Sequence, residues 1–224
     1  MDEVQGFSIQ LKNIHLSTGS LEPFSFDLAP GDVCEIQSDS SDNARLILKL
    51  LATLERPAEG LFMLDGNELD FSHYQSLLPV KRRIACITTD AALITNRSLQ
   101  ENILIGKAWY NNTMQPDMPP LCRDLCRKFC IEDKLHLRPA ATSPMEQRAA
   151  IAVRGLAKSP RLILVERPED FVGRRRKSLF LEALKNFSKS GASLVFWSDD
   201  SETGRGWTTR KWLLEEGSFR EIRL

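Results

Sequence analysis

The sequence predicts an α/β protein: a mostly parallel sheet covered by helices on both faces, with a smaller antiparallel sheet beside it. Three observations predict this. Short runs such as VCEI at 33–36, RLILV at 161–165 and SLVFW at 193–197 are apolar at all but one position and show no polar alternation, as suits strands buried on two faces. These runs alternate with stretches of helical apolar period, the order expected of a parallel sheet with crossover helices. The runs FSIQLKNI at 7–14 and FSFDL at 24–28 instead alternate apolar and polar residues, which suits half-buried antiparallel strands.

The chain has 224 residues, enough for one sizeable domain with a substantial apolar interior. Thirty lysines and arginines balance thirty aspartates and glutamates, so no global field points to nucleic acid or to a cationic partner. The basic run Arg174-Arg175-Arg176-Lys177 reads as a solvated helix start, and a nucleic-acid partner is not expected. No window approaches the roughly 18 apolar residues of a spanning helix, and no signal-peptide pattern opens the chain, so a soluble cytoplasmic protein is expected. Of five cysteines, Cys122, Cys126 and Cys130 recur at helical spacing. With no CxxC pair or His-rich partner they read as core packing on one helix face.

After the two N-terminal strands, GDVCEIQSDSSDNARLILKLLATL at 31–54 reads as a buried strand at 33–36, a polar turn at 38–43 and a buried helix over 44–54. GLFML at 60–64, closed by Asp65-Gly66, is a further strand with a turn. RIACIT at 83–88 is a compact strand, SLQENILIG at 98–106 a helix, and residues 107–121 a loop rich in breakers. A short helix follows over 121–130. A stronger one over 143–158 starts with Ser143 as N-cap, Pro144 at its first position and Glu146 completing a capping box. The closing elements are the strand at 161–165, a helix over 174–189, the strand at 193–197 and a hairpin from 211–215 and 218–222 around Glu216-Gly217.

Strand, turn, helix at 33–54 is the setting of a P-loop. The pattern G-x-x-x-x-G-K-S/T, laid on residues 38–45, puts Ser38 and Asn43 at the glycine positions, Ala44 at the lysine and Arg45 at the Mg-binding hydroxyl. The glycines of such a loop let backbone N–H groups converge on phosphate, and the lysine adds a cation. Here the turn carries Asp39 and Asp42, which repel a polyphosphate.

With that order, the chain resembles the nucleotide-binding domain of ATP-binding-cassette (ABC) transporters over nearly its whole length. The resemblance lies in the framework: residues 50–69 (LLATLERPAEGLFMLDGNEL), 98–106, 147–170 (QRAAIAVRGLAKSPRLILVERPED), GASLVFWSDD at 191–200 and the terminal hairpin. It implies a P-loop NTPase-like three-layer core. It also implies one domain over 1–224, with a β-subdomain from about 1–35 and 57–70 and a helical subdomain from about 90–158. Carried over position by position, the Q-loop glutamine corresponds to Thr89 and the signature to residues 142–146, of which Ser143 survives. The Walker B aspartate and following glutamate correspond to Glu166 and Arg167, the D-loop aspartate to Gly173 and the switch histidine to Asp199. The adenine-stacking aromatic falls near Thr18.

These replacements lead to the expectation of a catalytically inactive ABC subunit, with no catalytic residue and no cofactor or metal. Its expected role is as a scaffold or regulator of a membrane permease or of another ABC ATPase subunit, paired with itself or with that subunit, and peripheral at the cytoplasmic face. The alternative is a working or weakly working transporter ATPase using ATP and Mg, either alone or as one half of an asymmetric dimer. Two ion pairs, Arg45–Glu166 and Arg167–Asp199, are expected to fill the vacated pocket with bidentate geometry where buried. The resemblance also implies a permease groove floored by Ala91, Ala92, Leu93 and Ile94.

Overall fold

The computed structural model describes residues 5–223. Two sheets organise it. The smaller is antiparallel and ordered β2-β1-β4-β5, from β1 (Ile9–His15), β2 (Phe24–Leu28), β4 (Glu59–Leu64) and the short β5 (Asn67–Glu68). Alternation in β1 and β2 buries Ile9, Leu11, Phe24, Phe26 and Leu28 and leaves their neighbours exposed, so one face is apolar. The larger sheet runs β10-β9-β3-β8-β7-β6, from β3 (Val33–Ser38), β6 (Ile84–Ile87), β7 (Leu162–Glu166), β8 (Ser193–Trp197), β9 (Arg210–Glu215) and β10 (Ser218–Ile222). Only the edge strand β10 is antiparallel.

The larger sheet divides the core in two. On one side its Ala85, Ile87, Ile163, Val165 and Leu194 pack with α3 (Leu99–Tyr110), α4 (Pro120–Lys128), α5 (Pro144–Leu156) and α6 (Lys177–Lys189). On the other side Cys34, Ile36, Leu162, Leu164 and Val195 pack with α1 (Ser41–Leu51) and the apolar face of the antiparallel sheet. Strands covered twice are therefore apolar throughout: every residue of β7 and β8 is buried, the charged Glu166 included.

Several boundaries differ from the sequence reading, each for a local reason. α1 begins at Ser41 rather than 44, because Ser40 caps it by accepting from Asn43 N. α3 continues through Trp109 and Tyr110, into the stretch read as loop, and a capping box of Ser98 and Glu101 starts it. α2 (Tyr74–Lys81) has no counterpart in the sequence reading; Leu77 is its one buried residue and Pro79 lies inside it, so the apolar period is faint. Cys122 and Cys126 are buried on α4, whereas Cys130 lies beyond the helix at φ 52° and is exposed. Residues 174–176 form a 3-10 turn before α6.

Candidate functional site

In an open parallel sheet, ligands collect at the carboxyl ends of the strands where the order reverses. Here that edge brings together the end of β3, the start of α1, the residues after β6, the end of β7 and the residues after β8. The turn from β3 to α1 is closed on itself. Ser38 Oγ donates to Ser40 O at 2.8 Å and accepts from Ser40 N at 3.0 Å, and Asp39 N donates to Leu214 O at 3.2 Å. Asn43 N is spent on the Ser40 cap and Ala44 N on Ser40 O at 3.0 Å. The buried Asn43 side chain donates to Ser20 Oγ at 3.1 Å, tying the turn to the loop that holds the exposed Thr18. The loop amides that would converge on a phosphate in an open P-loop are thus largely satisfied within the chain, while Ser41 and Asp42, the first residues of α1, have no intrahelical acceptor for their N–H groups.

Glu166 is the centre of the site. It is 1% exposed at the end of β7, and its two oxygens are shared between the α1 start and the residue after Thr88. Arg45 Nη2 donates to Oε1 at 2.6 Å, Thr89 N to Oε2 at 2.8 Å, and Thr89 Oγ1 lies 2.9 and 2.8 Å from the two oxygens. The guanidinium contact is single rather than the bidentate fork expected, because Thr89 takes the Oε2 side. Burial alone would raise the Glu166 pKa; the donors from Arg45 and Thr89 outweigh it and hold the carboxyl below its usual range. The same hydrogen bond raises the Arg45 pKa. Arg45 Nε is buried and has no partner among the described residues.

A second cluster lies alongside. Arg167, at φ 47°, donates its N–H to Trp197 O at 2.8 Å, and its guanidinium lies 2.7 Å from Asp170 Oδ2 and 3.3 Å from Asp199 Oδ2. Those side chains are substantially exposed. Glu169, which the sequence reading missed, is buried beneath them. Its Oε1 accepts from Asp199 N at 3.2 Å, its Oε2 has no described partner, and burial pushes its pKa up. The only signal for it was a carboxylate three residues past Glu166 in ERPED, outside the motif positions carried over.

Ser143 stands apart in role: its N and Oγ are both engaged in the capping box with Glu146 at the exposed start of α5. Of the four residues proposed to floor a groove, Ala91 and Leu93 are half-buried against the core, and Ala92 is exposed with its carbonyl accepting from Arg154 at 2.9 Å. Ile94, 41% exposed, opens onto a hollow of about 750 Å³ shared with Arg97, Leu104, Trp109 and Met114.

The features of this edge that suit a nucleotide are the free start of α1, the unpartnered Nε of Arg45 and the hard oxygens of Glu166 and Thr89. The carboxylates of Asp39 and Asp42 oppose it.

No protein-family model matches the chain. Curated relatives do. The L-cystine import ATP-binding protein TcyN of Bacillus subtilis is 24% identical over 219 residues, 95% of this chain and 84% of that protein. A probable amino-acid ABC transporter ATP-binding protein of Haemophilus influenzae is 24% identical over 206 residues, 90% of this chain and 80% of its own length. Among solved structures, the dimeric bacterial ABC transporter cassette MJ0796 superposes with TM-score 0.81 at 20% identity, over 96% of this chain and 99% of that one. Its post-hydrolysis state, bound to ADP and Pi, superposes with TM-score 0.80. The expectation of no cofactor is corrected by these findings: the relatives are ATP-binding proteins and one neighbour holds a hydrolysed nucleotide, which points to nucleotide use rather than none. No described helix is long and apolar enough to cross a membrane. The homologues of this chain are ABC transporter ATP-binding proteins, and its fold is that of the ATP-binding cassette.

Proposed function

We propose that the chain is the ATP-binding-cassette subunit of a membrane transport complex, docked on a permease at the cytoplasmic face and paired with a second cassette in an asymmetric dimer. There it takes adenine nucleotide and turns it over weakly. The observation that carries this reading is the Arg45–Glu166–Thr89 cluster beside the start of α1. A cation and a helix N-terminus favour phosphate there, and Glu166 with Thr89 Oγ1 would hold Mg, which supplies charge neutralisation to a bound polyphosphate. The names of the relatives support the transport class, and the dimeric state of MJ0796 supports the pairing.

Weak turnover follows from what flanks the cluster. Phosphoryl transfer depends on cations aimed at the transferred group and on an oriented nucleophile. Arg167 cannot act as a base, and its contacts with Asp170 and Asp199 leave no carboxylate at that position to orient water. The same observation favours a second reading, a scaffold in the same complex that binds nucleotide without cleaving it.

Trp197 is buried and pairs in register with Glu166, so its share of the fluorescence of the four tryptophans, taken by difference against Trp197→Phe, reports on the site. Titration of the full chain with Mg-ATP is expected to saturate, and to weaken in Arg45→Ala. Absence of saturation would sink the nucleotide reading. Turnover by the chain alone at the rate of a working cassette would sink the weak-turnover part. No turnover, alone or mixed with an active cassette, selects the scaffold.

A further inference from the structure

Away from the nucleotide edge, three helix C-termini converge on one side of the molecule and bring five cations with them. Lys81 and Arg82 close α2, Lys107 lies in the last turn of α3, and Arg154 and Lys158 lie at and just beyond the end of α5. They line two adjoining hollows of about 190 and 210 Å³ that share Arg154 and Lys158 as a common wall. None of the five forms an ion pair with a described carboxylate.

The plain explanation is that cations complement helix C-termini, and part of the cluster does so. Lys81 Nζ donates to Thr53 O at 2.8 Å, Lys107 Nζ to Asp117 O at 2.7 Å and Arg154 Nη1 to Ala92 O at 2.9 Å, while Arg82 lies over the Tyr110 ring at 4.2 Å. That accounts for position but not for charge. Each helix end carries roughly half a negative charge, so three ends offset only about 1.5 of the five positive charges. Lys158 donates to no described acceptor. Desolvation in the hollow and then the neighbouring Arg154 guanidinium hold its pKa below the usual lysine range, and desolvation lowers those of Lys81 and Arg154. Five cations that line two adjoining hollows with no described carboxylate paired to any of them present a concave, positively charged surface that an anion would complement.

We propose that the paired hollow is a binding site for a phosphate-bearing ligand with two anionic groups, one in each half, held between Lys107 and Arg82 on one side and Lys81 on the other with Arg154 and Lys158 bridging. The shared chemistry is the phosphate group, whether on a soluble diphosphate or on a lipid headgroup. The site is separate from the Arg45 cluster and does not depend on the nucleotide reading.

The test is calorimetric titration of the full chain with inorganic pyrophosphate in Mg-free buffer, beside cosedimentation with phosphatidylglycerol and with phosphatidylcholine vesicles. Each is run on the wild type, Lys107→Gln/Lys158→Gln, Lys158→Gln alone and Arg45→Ala. Pyrophosphate binding is expected to weaken about tenfold or more in the double variant, the scale of losing charge-assisted hydrogen bonds, and to be unchanged in Arg45→Ala. Lys158→Gln alone, at an exposed residue with no protein acceptor, should weaken it in the same direction and guards against a folding artefact. Binding to phosphatidylglycerol vesicles alone, lost in the same variants, assigns the phosphate to a lipid. The proposal is overturned if pyrophosphate binding follows Arg45 and ignores Lys107 and Lys158, or if neither pyrophosphate nor anionic vesicles bind more than phosphatidylcholine does.

Discussion

Replacing Arg45 with alanine tests what Glu166 costs when left alone. In the wild type Glu166 is 1% exposed, and Arg45, with a side chain 28% exposed, provides its one charged donor. Removing one partner of a fully buried pair costs roughly 3–5 kcal/mol, because the other charge is stranded. Here the penalty is reduced, since Arg45 is partly solvated and Thr89 still donates from N and Oγ1; about 2 kcal/mol is expected at pH 7. The pH dependence carries the diagnosis. The folded-state pKa of Glu166 is lowered, so its contribution is present above the unfolded carboxyl pKa and is lost as pH falls through the folded value. In Arg45→Ala burial dominates instead, the carboxyl pKa rises, and the difference between the two proteins should shrink on acidification. Urea unfolding at pH 7 and at about pH 4, with unchanged m-values, measures both. The double variant Arg45→Met/Glu166→Met should recover most of the loss, as apolar replacement of a buried pair does. A difference below about 0.5 kcal/mol at pH 7, or one that is the same in acid, would refute the reasoning.

Three further outcomes are expected. Ser143→Ala should lower stability by about 1 kcal/mol through loss of the capping box, with Mg-ATP affinity unchanged, as read by thermal melting and fluorescence titration. Gly204→Ala drives a Cβ into Glu35 Oε2 and Thr208 Oγ1, so about 1–3 kcal/mol of destabilisation should appear in urea unfolding. Glu169 has a folded pKa raised by burial, so the stability linked to it is full below the unfolded carboxyl pKa and lost as pH rises through the folded value. Glu169→Gln should flatten that part of the stability–pH curve, and an unchanged curve would argue against it.

Most strands are legible because burial leaves a pattern: two covered faces give the continuous apolar run 193–197 of β8, and one covered face gives the alternation at 24–28 of β2. Misreadings cluster where a local side chain, not a period, sets the boundary. The apolar run starts the helix at 44, yet Ser40, three residues before Asn43, caps it and moves its start to Ser41. The end of α3 was hidden because Trp109, 65% exposed, and Tyr110 sit among breakers and supply no buried period. The Arg45–Glu166 contact spans 121 positions and was visible only through a resemblance that brings loop and strand together. Glu169 was missed because its significance is burial, which neither motif nor composition records.

The two arginine contacts at the strand ends serve different purposes. Arg167–Asp199 joins side chains 40% and 48% exposed, Arg167 is shared with Asp170, and salt screens such a pair, so it contributes little to stability. What fixes Arg167 is its backbone: at φ 47° a non-glycine residue is strained, and the N–H to Trp197 O holds it there at the junction of β7 and β8. Glu166, one residue earlier, is then committed to the interior and must be paired. Arg45 and Thr89 supply that pairing from two other elements, so α1, the segment after β6 and the end of β7 meet on one carboxylate. Any anion that draws Arg45 away leaves Glu166 dependent on Thr89 or on a metal cation. Ligand binding at this edge is therefore coupled to how firmly those three elements hold together, and Mg and nucleotide should bind more tightly together than either does alone.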